Sequence, residues 1–137
     1  MKLTDDELEW LQASQDLLDC HKRPCKAEAA EMVRLYGELS GALRASPDSP
    51  KRRALERKLD GVFLRSGLAR CVAAHCAPLA IKKANADLRM AARTCAAEPG
   101  SRRCRTVLPA MRAAKPGPSE EQVNGALVRS ARFFFRG

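Results

Sequence analysis

Aromatic side chains are scarce. Four Phe, one Tyr and one Trp serve 137 residues, and half of them stand together at Phe133, Phe134 and Phe135. Much of the apolar fraction is Ala. Burying Ala removes far less apolar area than burying Leu or Phe, and burial stabilises by roughly 25 cal/mol per Å². A chain of this length falls in the usual range for one domain, but its core is expected to be thin. Long apolar runs are also missing. No stretch approaches the roughly 18 apolar residues of a membrane-spanning helix, so no membrane span is expected. The start, Met1-Lys2-Leu3-Thr4-Asp5-Asp6-Glu7, is acidic and lacks the apolar run of a secretory signal.

Two further absences narrow the fold and the chemistry. No alternation of β-branched or aromatic residues extends over five positions, which removes the signal for strands. There is no Gly-rich phosphate loop, no His-Glu-x-x-His, no Cys-x-x-Cys and no recognisable nucleophile paired with a base. The expected protein is therefore not an enzyme, and no catalytic, cofactor-binding or metal-ligating set is assigned. The carboxylates Asp5, Asp6, Glu7 and Glu9 read as first-turn residues that favour the helix dipole.

What is present is helix. The sequence predicts an all-α fold, a small bundle of about six to seven short helices. Thr4 and Glu7 form a capping box, with Leu3 and Leu8 at staple spacing, so the first helix runs from Thr4 to about Cys20. Its inward face is read as Leu8, Leu11 and Leu18, with Trp10 beside it. The second helix runs from Pro24 to Arg44, with Ala29, Val33, Tyr36 and Leu43 on one stripe. Ser46-Pro47-Asp48-Ser49-Pro50 is a linker, and Ser49 is placed to start a third helix over Pro50 to Ser66. Gly67 breaks the chain before a short helix from Leu68 to Ala77. Pro78 opens the next, and Glu98-Pro99-Gly100-Ser101 is a turn. The helix from Ser101 to Ala114 contains Pro109, expected to kink it or end its regular part. Ser119 and Gln122 make a second capping box. The chain divides into a helical body, residues 1–114, and residues 115–137, a linker with a C-terminal helix and an aromatic tail.

Six cysteines supply the crosslinks that a thin core needs. They fall into local pairs: Cys20 and Cys25, Cys71 and Cys76, Cys95 and Cys104. In a helix, Cys71 and Cys76 would sit about 7.5 Å apart along the axis, beyond the reach of a disulfide. The equal spacing of the first two pairs suits antiparallel segments with rungs Cys20–Cys76 and Cys25–Cys71; the alternative is a local Cys20–Cys25 closure across the Pro24 turn. Cys95 and Cys104 flank the Pro99-Gly100 turn and are expected to staple a helical hairpin. His21 and His75 lie beside cysteines, so zinc is a competing reading, as are reduced buried thiols.

The pattern is similar in style to the twin C-x9-C proteins of the mitochondrial intermembrane space, helical hairpins joined by two disulfides. The spacings here are C-x4-C, C-x4-C and C-x8-C, so the defining motif is absent and the likeness is one of architecture. Disulfides imply an oxidising setting, such as that compartment or a virion.

Charge is strongly divided. Residues 1–50 hold ten carboxylates against six Lys and Arg, and residues 51–137 hold nineteen Lys and Arg against six carboxylates. Lys51, Arg52, Arg53, Arg57 and Lys58 crowd the start of one helix; Arg102, Arg103 and Arg105 crowd another. Cations at a helix N-terminus are unfavourable, so both clusters are candidate sites for an anion: phosphate, an acidic protein surface or the chain's own acidic arm. Phe133, Phe134 and Phe135 cannot all face one core, which makes them candidate docking residues. The expected function is that of a structural or accessory subunit of a large assembly, a capsid or virion protein or a mitochondrial complex subunit, working through other protein subunits. A basic nucleic-acid-binding or packaging protein is the alternative, and a thiol-redox or zinc-binding protein a weaker one.

Overall fold

A computed structural model describes residues 2–47 and 50–135. Among them the chain is all-helical: α1 (Asp5–Lys22), α2 (Lys26–Arg44), α3 (Pro50–Asp60), α4 (Val62–Arg65), α5 (Leu68–His75), α6 (Ala77–Ala97), α7 (Arg102–Ala113) and α8 (Glu120–Phe134). The expected third helix is two, which accounts for the higher number. At Gly61 the N–H is shared between the Arg57 and Lys58 carbonyls, at 3.2 and 3.1 Å. That three-centre bond is typical of a helix end. The expected cap Ser49 lies outside the described residues.

Local chemistry sets most of the other boundaries. Both capping boxes form: Glu7 N–H donates to Thr4 Oγ1 at 3.3 Å and Gln122 N–H to Ser119 Oγ at 3.1 Å. Gly67, at φ +79°, begins α5 in the left-handed region that favours glycine. Pro24 does not open α2; it sits in the turn, and the helix starts at Lys26 after Cys25. Pro109 does not end α7, which continues to Ala113. Leu108 and Met111, both buried, anchor the helix on either side of the proline, which itself faces solvent.

Two apolar clusters organise the bundle. The larger contains Leu17, Val62, Phe63, Leu68, Val72 and Val123, and the smaller Ala91, Leu108, Met111 and Phe133. Alanine recurs in the larger, at Ala69, Ala80 and Ala131, as the composition implies. Cystine fills the rest. Cys20–Cys76 and Cys25–Cys71 join the α1–α2 turn to α5 as antiparallel rungs, with Cα–Cα distances of 6.2 and 5.9 Å. Cys95–Cys104, at 5.4 Å, staples α6 to α7. The local Cys20–Cys25 closure does not occur, and no cysteine is free.

The acidic arm is used internally. α1 lies along α6, where Glu9 pairs with Arg89, and Asp6 and Glu7 lie 3.8 and 3.9 Å from Arg93. Beneath them Asp87 is buried; it accepts from Trp10 Nε1 at 2.8 Å and pairs with Lys83. A buried carboxylate with two donors avoids the cost of an unpaired charge.

Candidate interaction surfaces

The face of α1 that meets the core is not the leucine face. Trp10, Ala13, Leu17 and Cys20 turn inward, and Ala13 and Leu17 are only 1% and 6% exposed. Leu8, Leu11 and Leu18 point to solvent at 51%, 46% and 45% exposure. The competition is decided by the rungs. Cys20 must reach Cys76, and that fixes the rotation of the last turns of α1. Residues 13, 17 and 20 share its face by three-to-four spacing. A similar shift occurs in α2, where Ala29, Met32, Leu35 and Tyr36 pack inward and Val33 is exposed.

The solvent stripe of α1 has a regular period. Thr4, Leu8, Leu11, Gln15 and Leu18 follow each other at intervals of four, three, four and three residues. That is the a/d spacing by which one helix packs along another. Carboxylates edge the stripe: Asp5, Asp16 and Asp19 have no cationic partner among the described residues.

One member of the first basic cluster and two of the second line a common cleft. Arg52 from α3, Arg102 and Arg103 from α7, and Arg132 from α8 line a space of about 330 Å³, with Glu56 and Asp60 on its α3 side. Both helices begin without an acidic residue in the first turn, so their positive dipole ends add to the side-chain charge. The eight expected anion-binding residues then divide. Arg52 donates to the Leu43 and Ser46 carbonyls at 2.9 and 3.0 Å, closing the exposed end of α2, and lies 3.6 Å from Glu56. Arg103 stacks over the Phe133 ring at 5.7 Å. Lys51, Arg53, Arg57, Lys58, Arg102 and Arg105 are exposed, and their side chains have no hydrogen-bond or ion-pair partner among the described residues. The acidic arm does not neutralise them, because α1 lies against α6.

Arg132 belongs to this cleft although its cluster was not legible from spacing. It pairs with Asp60, and that hydrogen bond, against partial burial, holds the guanidinium above its ordinary pKa. The one signal for it is its place within the last turn of an amphipathic helix.

The aromatic run splits three ways. Phe133 is fully buried and Phe134 half-buried, 5.0 Å from Phe133 and 5.9 Å from Trp10 between ring centroids. Phe135 is 74% exposed and borders an apolar groove of about 440 Å³ with Val33, Tyr36 and Leu127. Of the three candidate docking residues, Phe135 alone is exposed.

The cysteine-associated histidines are not brought together as ligands. All six sulfurs are in disulfides, and no three His, Cys, Asp or Glu side chains cluster for a metal among the described residues. His75 is exposed. His21 is largely buried with Nε2 unpartnered, and burial lowers its pKa. No helix among the described residues is long and apolar enough to cross a membrane. No protein-family model, curated protein or solved structure matches the chain.

Proposed function

We propose that this chain is a non-enzymatic accessory subunit of a larger assembly, as in a virion or a mitochondrial complex, and that it works by protein–protein contact from a disulfide-stapled frame. The leucine stripe of α1 carries the reading. Half-exposed Leu8, Leu11 and Leu18 at a/d spacing leave apolar surface in water on one face of α1, interrupted at Gln15. A second helix laid on that stripe removes it from water at roughly 25 cal/mol per Å². The carboxylates along its edges favour a partner helix flanked by Lys or Arg. Cys20–Cys76, from within α1, and Cys25–Cys71, just after it, hold the receiving helix in place, so little ordering entropy is lost on docking.

One observation favours nucleic acid as a second reading: six exposed cations on α3 and α7, of which Arg102 lines the cleft, have no partner among the described residues. Base-stacking aromatics do not accompany them. Phe133 is buried under Arg103, and Phe135 borders the apolar groove instead.

Affinity capture from cells that make the chain natively distinguishes the two. On the first reading, a protein partner stays bound through washes at about 0.5 M salt, where exposed charges are largely screened. It is lost on the double substitution Leu11→Glu and Leu18→Glu, which alters only exposed positions. Retention of the partner by that variant refutes the proposal. Binding to DNA that falls steeply with salt and disappears in Arg102→Glu, with no protein captured, establishes the second reading instead.

A further inference from the structure

Away from the α3–α7 cleft, a smaller recess opens between α6, the end of α7 and α8. Its volume is about 200 Å³, and Arg112, Lys115 and Arg129 line it. Arg112 and Lys115 are three residues apart at the end of α7, and Arg129 reaches them from α8. Between them lie Ala84, Leu88 and Met111, with Asn85 the one neutral polar side chain. Asp87, the one carboxylate at its edge, is already engaged by Trp10 and Lys83.

Arg129 is the unusual member. Arg89, Arg93 and Arg132, about half-exposed, each hold a carboxylate. Arg129 is also partly withdrawn from water, yet it has no hydrogen-bond or ion-pair partner among the described residues. Burial alone pushes its pKa down. Its guanidinium folds back over Gly125, where a Cβ would meet Nη1 at 3.0 Å and Nη2 at 3.1 Å. Glycine in a helix interior is unfavourable relative to Ala. Here its missing side chain provides the seat for the guanidinium.

We propose that this recess binds a phosphate dianion through Arg129, Arg112 and Lys115. The guanidinium fork matches phosphate oxygens in pairs, and the partial withdrawal of Arg129 from water strengthens its own contact. With Asp87 already neutralised by Lys83, three cations face the recess without a counter-charge, enough to favour a phosphate monoester or inorganic phosphate at about −1.5 to −2 over a monoanion. The volume lies below the roughly 300–1,000 Å³ of drug-sized pockets, so the bound group is the phosphate itself or the end of a small ester.

Calorimetric titration of the full chain at constant ionic strength tests this, with inorganic phosphate, O-phosphoserine and dimethyl phosphate as probes. Inorganic phosphate or phosphoserine binds with a Kd below about 1 mM, and the tighter of the two identifies a free anion or an ester as the source. Dimethyl phosphate, a monoanion, binds at least about tenfold more weakly. Arg129→Gln and Lys115→Ala each weaken phosphate at least about tenfold. Gly125→Ala displaces the guanidinium and weakens binding while raising the melting temperature through better helix propensity, which separates loss of the site from loss of the fold. Arg57→Ala leaves binding unchanged. No binding by the wild type, equal binding by Arg129→Gln, equal binding of dimethyl phosphate, or loss in Arg57→Ala overturns the proposal.

Discussion

Removing the two rungs is expected to cost more than the sum of removing each. Cys25–Cys71 closes a span of 46 residues and Cys20–Cys76 one of 56. Alone, either loop restricts the unfolded chain by about 4 kcal/mol. Once one rung is present, the other closes only a ring of about 11 residues, made of the two Cys-x4-Cys segments, and adds about 2.8 kcal/mol. Replacing Cys20 and Cys76 by Ala should therefore cost about 3 kcal/mol, and so should replacing Cys25 and Cys71. Replacing all four should cost about 7 kcal/mol, an excess of about 1 kcal/mol that double-mutant analysis resolves. Seven is comparable with the whole stability of a typical domain, about 5–15 kcal/mol. Alanine is the right replacement, because Cys25 and Cys76 are 0% and 1% exposed and a buried hydroxyl would add its own cost. Urea unfolding followed by far-ultraviolet circular dichroism measures all three variants. Each two-residue variant should melt about 10 °C lower, at roughly 3–5 °C per kcal/mol for a chain of this size. A four-alanine variant that unfolds at the wild-type urea midpoint refutes the idea that the rungs hold this bundle.

Three further outcomes follow from single side chains. Phe133→Ala should cost about 3–5 kcal/mol, as expected for an aromatic truncated in a core, whereas Phe135→Ala should stay within about 0.5 kcal/mol; chemical denaturation reads both. Gly67→Ala should cost about 1–2 kcal/mol, because φ of +79° is strained for an L side chain even though Glu28 Cγ leaves ordinary room at 3.5 Å. Burial lowers the pKa of His21 in the fold; the unfolded chain binds the proton more readily, so the contribution of this group is present above the unfolded pKa and is lost as pH falls through it. Urea midpoints across that range should decline more in the wild type than in His21→Phe, and parallel curves would assign the decline to other groups.

The sequence was most readable where one short-range interaction decides the backbone. Thr4 with Glu7, Ser119 with Gln122, and Gly67 each act within a few residues, and each stands where expected. The rung pairing was readable for a different reason: a helix cannot bring Cys71 to Cys76, and equal spacing leaves few antiparallel solutions. The rotation of α1 was not readable. Its sequence offers two apolar faces, one through Ala13 and Leu17 and one through Leu8, Leu11 and Leu18. Hydrophobicity alone favours the leucines. The choice depends on Cys76, more than fifty residues away, and on Asp87, which receives Trp10 Nε1. The same limit applies to the cationic cleft. Lys51 to Lys58 and Arg102 to Arg105 are visible as runs, but nothing local shows that Arg52 will close α2 or that Arg132 will join them.

The C-terminal segment illustrates how a linker-like composition can conceal a packed joint. Lys115-Pro116-Gly117-Pro118 has the residues of a flexible connection, yet Gly117 is buried, and a Cβ there would collide with the Gln122 side chain that caps α8. The cap and the turn thus require each other, and together they aim α8 across both apolar clusters. Val123 and Ala131 enter the larger one, and Phe133, two residues on, fills the smaller. Alternate sides of one helix are needed to join clusters that lie on either side of it, which is why the aromatic run cannot act as a unit. Phe133 is fully committed to the interior and Phe134 to Trp10. Of the run, only the residue at the helix end is left to meet another molecule, and a second unpartnered apolar surface lies on α1, on leucines that the rungs turned outward.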